Sequence, residues 1–140
     1  MGILRLAHVD IRTTDLELAS TYYSEVMGLT PVQRDQDTAY FKCWDEEDHH
    51  SLRLRYDART GLDLFAFRVE KEDDLAEMEK AVEAYGCQVQ RVSKGEAVGQ
   101  GESIRFVIPS GQTMELVWDL TKTGNPVSYT HLTLPTILRV

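Results

Sequence analysis

The side chains that could most readily bind a metal ion or take part in catalysis are one histidine and two carboxylates on predicted strands. His8 and Asp10 alternate with apolar neighbours in the first such segment, so both face the same side of that strand. A neutral imidazole on a sheet surface can bind a metal ion. Glu115 lies in the last apolar segment, where a carboxylate is costly to bury without a partner. His8 and Glu115 are therefore candidates either for metal ligands or for hydrogen-bonded structural groups.

The other histidines are weaker candidates. His49 and His50 form a tandem pair in an acidic turn over residues 45–50, which we expect to be solvated. His131 lies in an atypical terminal segment. A mononuclear iron site of the facial type needs two histidines and one carboxylate, with open positions for other ligands. The predicted strands supply His8 and Glu115 but no second histidine, so that ligand set is incomplete.

The composition is that of a globular domain and excludes several kinds of partner. The chain has 140 residues, 42% of them hydrophobic, and a formal net charge of −8. An acidic surface repels phosphate backbones, so nucleic acid is not an expected partner. No segment has the apolar length of a membrane span, and the first residues lack the apolar stretch of a signal peptide. We therefore predict a cytoplasmic protein that does not contact membranes.

The predicted secondary structure is a repeated unit. A strand, a helix and three further strands occur over about residues 4–57 and again over about 61–119. Thr14 and Glu17 form a capping-box pattern at the start of the first helix, and Gly86 is placed to end the second. One such unit cannot bury a core alone, so the two should pack side by side. The predicted fold is α+β: two βαβββ modules forming a curved, mixed, mostly antiparallel sheet with the helices outside and a pocket on its concave face.

The end of the chain does not fit this pattern. Residues 127–136 (VSYTHLTLPT) resemble the translated read-through of a sequencing adapter, and residues 137–140 would be translated index sequence. Like a tag, such a segment is excluded from reasoning about the fold. We therefore predict one domain over residues 1–126 and a non-native tail over 127–140, the alternative being a natural disordered extension. If the tail is foreign, the native protein continues past Pro126.

Several motifs carry a resemblance to a known family. In chain order they are residues 6–12 (LAHVDIR), Tyr22-Tyr23 with Gly28-Leu29, 41–44 (FKCW), 51–55 (SLRLR), 85–87 (YGC), and 109–111 (PSG) followed by 114–116 (MEL). The doubled unit resembles the vicinal oxygen chelate superfamily, which includes glyoxalase I, the bleomycin resistance proteins and the extradiol dioxygenases. The motifs are similar to the amino-terminal domain of the catechol 2,3-dioxygenases (metapyrocatechases), over about residues 4–119.

The resemblance implies a fragment of an Fe(II)-dependent extradiol dioxygenase, which cleaves aromatic rings in the catabolism of aromatic compounds. Enzymes of that family carry two such domains, and only the carboxy-terminal one holds the ferrous ion, through two histidines and a glutamate. The matching positions here are His8, Leu64 and Glu115. Because leucine cannot bind iron, the resemblance implies that His8 and Glu115 are remnants of a ligand triad. This fragment would then bind no iron, carry no catalytic residue and be inactive alone.

The resemblance also implies partners for the full-length parent: a catecholic substrate, dioxygen, and further copies of itself in a homo-oligomer. Two other functions stay open. A stand-alone glyoxalase-like metalloenzyme would bind a metal ion through His8 and Glu115, although Leu64 argues against it. A binding module like the bleomycin resistance proteins would use the concave face and the acidic surface to hold a cationic ligand.

Overall fold

The computed structural model describes residues 2–122, which form eight strands and two α-helices. The strands are β1 (Ile3–Thr13), β2 (Thr30–Arg34), β3 (Thr38–Lys42), β4 (Leu52–Tyr56), β5 (Gly61–Val69), β6 (Val89–Val92), β7 (Ser103–Val107) and β8 (Thr113–Val117). The helices are α1 (Leu16–Thr21), which continues as a π-helical segment over Tyr22–Val26, and α2 (Asp74–Tyr85). The order strand, helix and three strands therefore occurs twice, as predicted.

The strands form a single mixed sheet in the order β2-β3-β4-β1-β5-β8-β7-β6. The long strands β1 and β5 pair antiparallel at its centre and join the two modules. The pairs β1–β4 and β5–β8 are parallel, whereas the other pairs are antiparallel. The predicted α+β class and the mixed, mostly antiparallel sheet are confirmed.

Two apolar clusters lie between the sheet and the two helices. In the first module Leu16 of α1 packs with Ala39, Phe41 and the fully buried Leu54. In the second module Leu75 of α2 packs with Val69, Ile104, Phe106 and Leu116. Successive side chains along a strand point to opposite faces of the sheet. Since Leu116 faces α2, its neighbour Glu115 faces the other side, where the candidate site lies.

Of the two predicted helix termini, the start of α1 is wrong and the end of α2 is confirmed. The capping box at Thr14 is wrong, because Asp15 is the N-cap and its side chain accepts a hydrogen bond from the Leu18 N–H at 3.0 Å. Glu17 instead pairs with Arg34 of β2. Aspartate and threonine both cap helices well, so residue type alone could not predict which of the two neighbours caps α1. Gly86 ends α2 as predicted, in the left-handed conformation with φ of 117°.

A short segment after β8 ties together the two loops that border the candidate site. The His49 N–H donates to the carbonyl oxygen of Thr121 at 2.8 Å, and the Thr121 N–H donates to that of Gly99 at 2.9 Å. The Gly101 N–H donates to the carbonyl oxygen of Asp119 at 2.7 Å. At Gly99, where φ is +80°, an added Cβ would lie 2.9 Å from His49. Glycine is thus required where these two loops approach each other.

Within residues 2–122, neither helix has the length and apolar character needed to cross a bilayer. The predicted tail over residues 127–140, including His131, lies outside the described residues. Its foreign origin, and the domain boundary at residue 126, stay predictions.

Candidate functional site

A cleft of about 1170 Å³ borders the face of the sheet that bears Glu115. His8, Leu64 and Glu115 all line it. The strand register accounts for this arrangement, because His8 pairs with Ala66 across β1 and β5, and Ala66 pairs with Glu115 across β5 and β8. Residues opposite one another on neighbouring strands share a face. The structure therefore brings the first and last candidate ligands to either side of Ala66.

The side-chain amide of Gln100 fills the gap between His8 and Glu115. Its Oε1 lies 3.0 Å from His8 Nε2, and its Nε2 donates to Glu115 Oε2 at 3.1 Å. All three side chains are buried. An ionised carboxylate only accepts hydrogen bonds, so the amide nitrogen must face Glu115 and the amide oxygen must face His8. His8 consequently donates a proton to this bridge through Nε2.

Glu115 is fully buried and concentrates its hydrogen bonds on one oxygen. Besides Gln100, Ser103 Oγ donates to Oε2 at 3.0 Å and Arg105 Nε at 3.2 Å. Oε1 is buried and has no hydrogen-bond partner among residues 2–122. Arg105 thus balances the charge that makes a buried carboxylate costly, and the neutral donors hold the carboxylate in place.

His49 and His50 are not in a solvated turn, so that expectation is wrong. His50 is buried, and its Nδ1 lies 2.8 Å from His49 Nδ1. His49 Nε2 lies 3.1 Å from Gln33 Oε1. The His50 ring packs 4.9 Å from the Tyr40 ring and 5.0 Å from the His8 ring, measured between centroids. His50 lines the cleft, and the loop that carries both histidines is hydrogen-bonded to Thr121 in the segment after β8.

Three buried groups converge beside the Gln100 bridge. The ligand atoms of His8, Asp10 and His50 lie within 4.8 Å of one another. Asp10 Oδ1 is 2.7 Å from His8 Nδ1, and Asp10 Oδ2 is 3.8 Å from Arg53 Nη1. Strand alternation had placed His8 and Asp10 on one face. Gln100 was missed and His50 was set aside as solvated, because both lie in loops where no periodic pattern indicates the direction of a side chain.

Burial and neighbouring charges shift the pKa values of His50 and His8 in opposite directions. Burial lowers the pKa of His50 to about 3, with further contributions from His8, His49 and Arg53, so His50 is neutral near pH 7. Burial also disfavours the charged form of His8. The adjacent Asp10 outweighs this effect, with help from Glu115 and Gln100, and raises the pKa of His8 above 6.5.

An arginine cluster around Asp63 forms another part of the cleft wall. Arg55 donates to both Asp63 oxygens, at 2.8 and 3.0 Å. Arg12 lies 3.2 Å and Arg53 3.9 Å from the same carboxylate. The hydrogen bonds from Arg55 are the main cause that lowers the pKa of Asp63 below 3.8. Asp63 therefore holds together arginines from β1 and β4.

Replacing Asp63 with asparagine is expected to lower the free energy of unfolding by about 1 kcal/mol at pH 7. A carboxyl group whose pKa is depressed by folding stabilises the protein above its unfolded pKa, and this contribution is lost as the pH falls through the folded pKa. The difference between the two proteins should thus narrow below about pH 4. Urea denaturation at pH 7 and at about pH 3 measures this difference. Asp37→Asn, at an exposed carboxylate between β2 and β3, is the control. A difference that does not change with pH would contradict the ion-pair explanation.

Comparison with known proteins identifies the relatives of this chain. Residues 62–122 match the family model described as the catechol 2,3-dioxygenase-like N-terminal domain. The metapyrocatechase of Pseudomonas sp. (strain CF600) is 37% identical over 124 residues, covering 88% of this chain and 40% of that protein. The manganese-dependent 2,3-dihydroxybiphenyl 1,2-dioxygenase of Geobacillus genomosp. 3 is 32% identical, covering 89% and 39%.

Solved structures agree with the sequence matches. The 2,3-dioxygenase LapB from Pseudomonas sp. KL28 superposes with a TM-score of 0.85 at 38% identity, covering 89% of this chain and 44% of that one. An extradiol ring-cleaving dioxygenase from B. fuscum superposes with a TM-score of 0.87 at 28% identity, covering 94% and 37%. The chain is a homologue of the extradiol dioxygenases. It spans about 40% of the length of the curated relatives, and the family model places it in their amino-terminal part.

The residues of this chain do not fit a ferrous ion at His8, Leu64 and Glu115, the positions that the resemblance matches to the ligands of the extradiol dioxygenases. Leu64, the position matched to the second histidine of that triad, is a buried hydrocarbon side chain without a donor atom. The Gln100 amide lies against His8 Nε2 and Glu115, where the ion would have to sit. The bare Glu115 Oε1 does not compensate, because two protein ligands without the third make an incomplete site.

Proposed function

We propose that this chain is the amino-terminal, non-catalytic domain of an Fe(II)-dependent extradiol dioxygenase that cleaves catecholic rings with dioxygen. The observation that carries the proposal is the Gln100 amide bridge between His8 and Glu115, next to Leu64. This arrangement replaces a metal ion with a neutral hydrogen-bonded group. The match to an amino-terminal family model and the coverage of about 40% of the relatives support the same assignment.

In this proposal, the ferrous ion and the substrate bind to the part of the parent enzyme that lies beyond this domain. His8 and Glu115 act here as members of a structural hydrogen-bond network, and no residue of the domain takes part in ring cleavage. A stand-alone metalloenzyme and a drug-binding module are not favoured, because the named relatives are dioxygenases. Assembly of the parent into a homo-oligomer and its location in the cytoplasm stay predictions.

The domain itself is proposed to extend over residues 1–126, with modules at about 4–57 and 61–119, and to be followed by a non-native tail over 127–140. The adapter-like residues 127–136 support this boundary. Sequencing the source DNA through and beyond the codon for Pro126 tests it. A reading frame that continues into a second doubled module with two strand histidines and a glutamate is expected. A natural frame that encodes residues 127–140 and then stops would contradict the proposal.

The purified chain is expected to show no ring cleavage when it is incubated with Fe(II), catechol and dioxygen, because its triad lacks a ligand at Leu64. A hybrid in which residues 1–122 replace the matched amino-terminal part of the Pseudomonas metapyrocatechase should cleave catechol. Absorbance of the ring-cleavage product and oxygen consumption measure both reactions. The unmodified metapyrocatechase is the positive control. Turnover by the 140-residue chain alone would contradict a non-catalytic role, and a folded, iron-loaded but inactive hybrid would contradict the domain assignment.

A further inference from the structure

The hydrogen bonds around His8 determine which of its ring nitrogens carries a proton. Because Gln100 donates to the Glu115 carboxylate, its oxygen faces His8 Nε2, which must therefore be the donor. In a neutral imidazole the other nitrogen, Nδ1, then carries a lone pair. That lone pair faces Asp10 Oδ1 at 2.7 Å, so two acceptors oppose each other at hydrogen-bond distance. Such a contact is stable only when a cation, either a proton or a metal ion, lies between them.

A second chain of hydrogen bonds determines the proton position on His50. Gln33 Nε2 donates to both oxygens of Asp35 at 3.2 Å, so its Oε1 faces His49 Nε2, which must be a donor. His49 Nδ1 is then an acceptor and takes the proton of His50 Nδ1 at 2.8 Å. The remaining nitrogen of His50, Nε2, carries a lone pair. The structure gives it no hydrogen-bond partner among the described residues.

We propose that His8 Nδ1, Asp10 and His50 Nε2 bind one divalent transition-metal ion. The hydrogen bonds leave a lone pair on His50 Nε2 and, in the neutral ring, on His8 Nδ1. One ring nitrogen of each histidine and one Asp10 oxygen lie within 4.8 Å of one another. Metal-binding histidines characteristically donate their second N–H to a hydrogen-bond acceptor. Here the acceptor is the Gln100 amide oxygen for His8 and the imidazole Nδ1 of His49 for His50. The proposed site uses the opposite side of the His8 ring from the one that faces Glu115.

The donor set points to zinc as the best match. Two imidazoles and one carboxylate suit Zn²⁺ and its first-row neighbours, whereas Ca²⁺ and Mg²⁺ prefer oxygen ligands. With ligand distances of about 2.0–2.2 Å, a tetrahedral or octahedral ion needs about 3.0–3.5 Å between ligand atoms. His8 and Asp10 are at 2.7 Å, so they would separate slightly, and the three groups are already within 4.8 Å. The cleft leaves room for a water or an exogenous ligand on the remaining positions.

An ion at this site would stabilise the first module, which supplies all three ligands. It would cross-link β1 to the loop before β4, and its ligands are oriented by Gln33 of β2 and by Gln100 of the loop before β7. The proposal is independent of the dioxygenase assignment. If the chain binds zinc at this site but the hybrid fails to cleave catechol, the zinc proposal is supported and the dioxygenase assignment is contradicted.

Titration of the untagged, chelator-treated 140-residue chain with ZnCl₂ tests the proposal by calorimetry and by thermal unfolding. We expect one zinc ion per chain and a rise in Tm on the order of 10 °C at a free zinc concentration about 100 times Kd. His50→Ala and Asp10→Asn should abolish this binding. Gln100→Ala, which removes the acceptor that orients His8 together with one donor to Glu115, should weaken it by about 10–100-fold. His131→Ala, outside the described residues, is the matched control and should bind like the original chain.

Nitrogen-15 NMR of the histidine side chains in the unaltered chain keeps the test independent of how the variants fold. Zinc should shift His8 Nδ1 and His50 Nε2 and leave His8 Nε2 protonated. Absence of zinc binding, with His8 doubly protonated against Asp10, would overturn the proposal in favour of a simple ion pair. Binding that persists in folded His50→Ala, or that shifts only His131, would also overturn it.

Discussion

Glu115→Ala is expected to lower the free energy of unfolding by about 3 kcal/mol or more, one of the two largest effects in the domain. Glu115 is fully buried, and the substitution leaves the donors of Gln100, Ser103 and Arg105 without their shared acceptor. Each buried donor left unpaired costs about 1–3 kcal/mol, and the emptied volume adds a cavity term. Arg105 is partly exposed and can turn toward water, which limits its share of the loss.

Glu115→Gln separates the two causes of that loss. Glutamine has nearly the same shape and keeps one carbonyl acceptor for Ser103 and Gln100, but it removes the charge opposite Arg105. Its destabilisation should therefore be clearly smaller than that of alanine, as measured by urea denaturation of both variants. Glu83→Ala, at an exposed carboxylate on α2, is the control and should change stability by less than about 0.5 kcal/mol. Equal stability of Glu115→Ala and the original chain would mean that the network contributes nothing to folding.

Much of the fold could be predicted because both modules have strong local patterns. The alternation around His8 predicted β1, and the apolar spacing before Gly86 predicted α2 and its left-handed end. The repeat of the unit then implied that two modules share a sheet. The detail that failed was the cap of α1. Thr14 and Asp15 are neighbours and both residue types cap helices well, so the sequence pattern did not distinguish them, and the structure has Asp15 as the cap.

Less of the candidate site could be predicted, because its members come together through long-range pairing. His8 and Glu115 were identified from their strands, and the strand order places them on either side of Ala66. Gln100 lies in a glycine-containing loop, and its position depends on the hydrogen bonds of Gly99 and Gly101 to the segment after β8. His50 is buried for the same reason, although its neighbours in sequence are acidic. Local composition indicated a solvated turn, and tertiary contacts overrode it.

Leu54→Ala should lower the free energy of unfolding by about 3 kcal/mol, within the range of about 2–5 kcal/mol found for buried leucines. Leu54 is fully buried in β4 and packs with Leu16, Ala39 and Phe41. Its loss leaves a cavity under α1. Since α1 is short and anchored on the sheet by Leu16, it can close only part of that cavity. Leu18→Ala on the solvent side of the same helix, where 68% of the residue is exposed, is the matched control.

The same variant also tests whether the two modules unfold as one unit. The central pairing of β1 with β5 joins them, and Trp118 packs against the core of the second module, far in sequence from Leu54. In a Trp44→Phe background, Trp118 fluorescence reports the second module, while far-ultraviolet circular dichroism reports the whole sheet. If the sheet is cooperative, Leu54→Ala should shift both urea midpoints equally without changing the slope of either transition. If the urea midpoint of the Trp118 transition is unchanged by Leu54→Ala, the second module folds independently of the first. The β1–β5 pairing would then not couple the stabilities of the two modules.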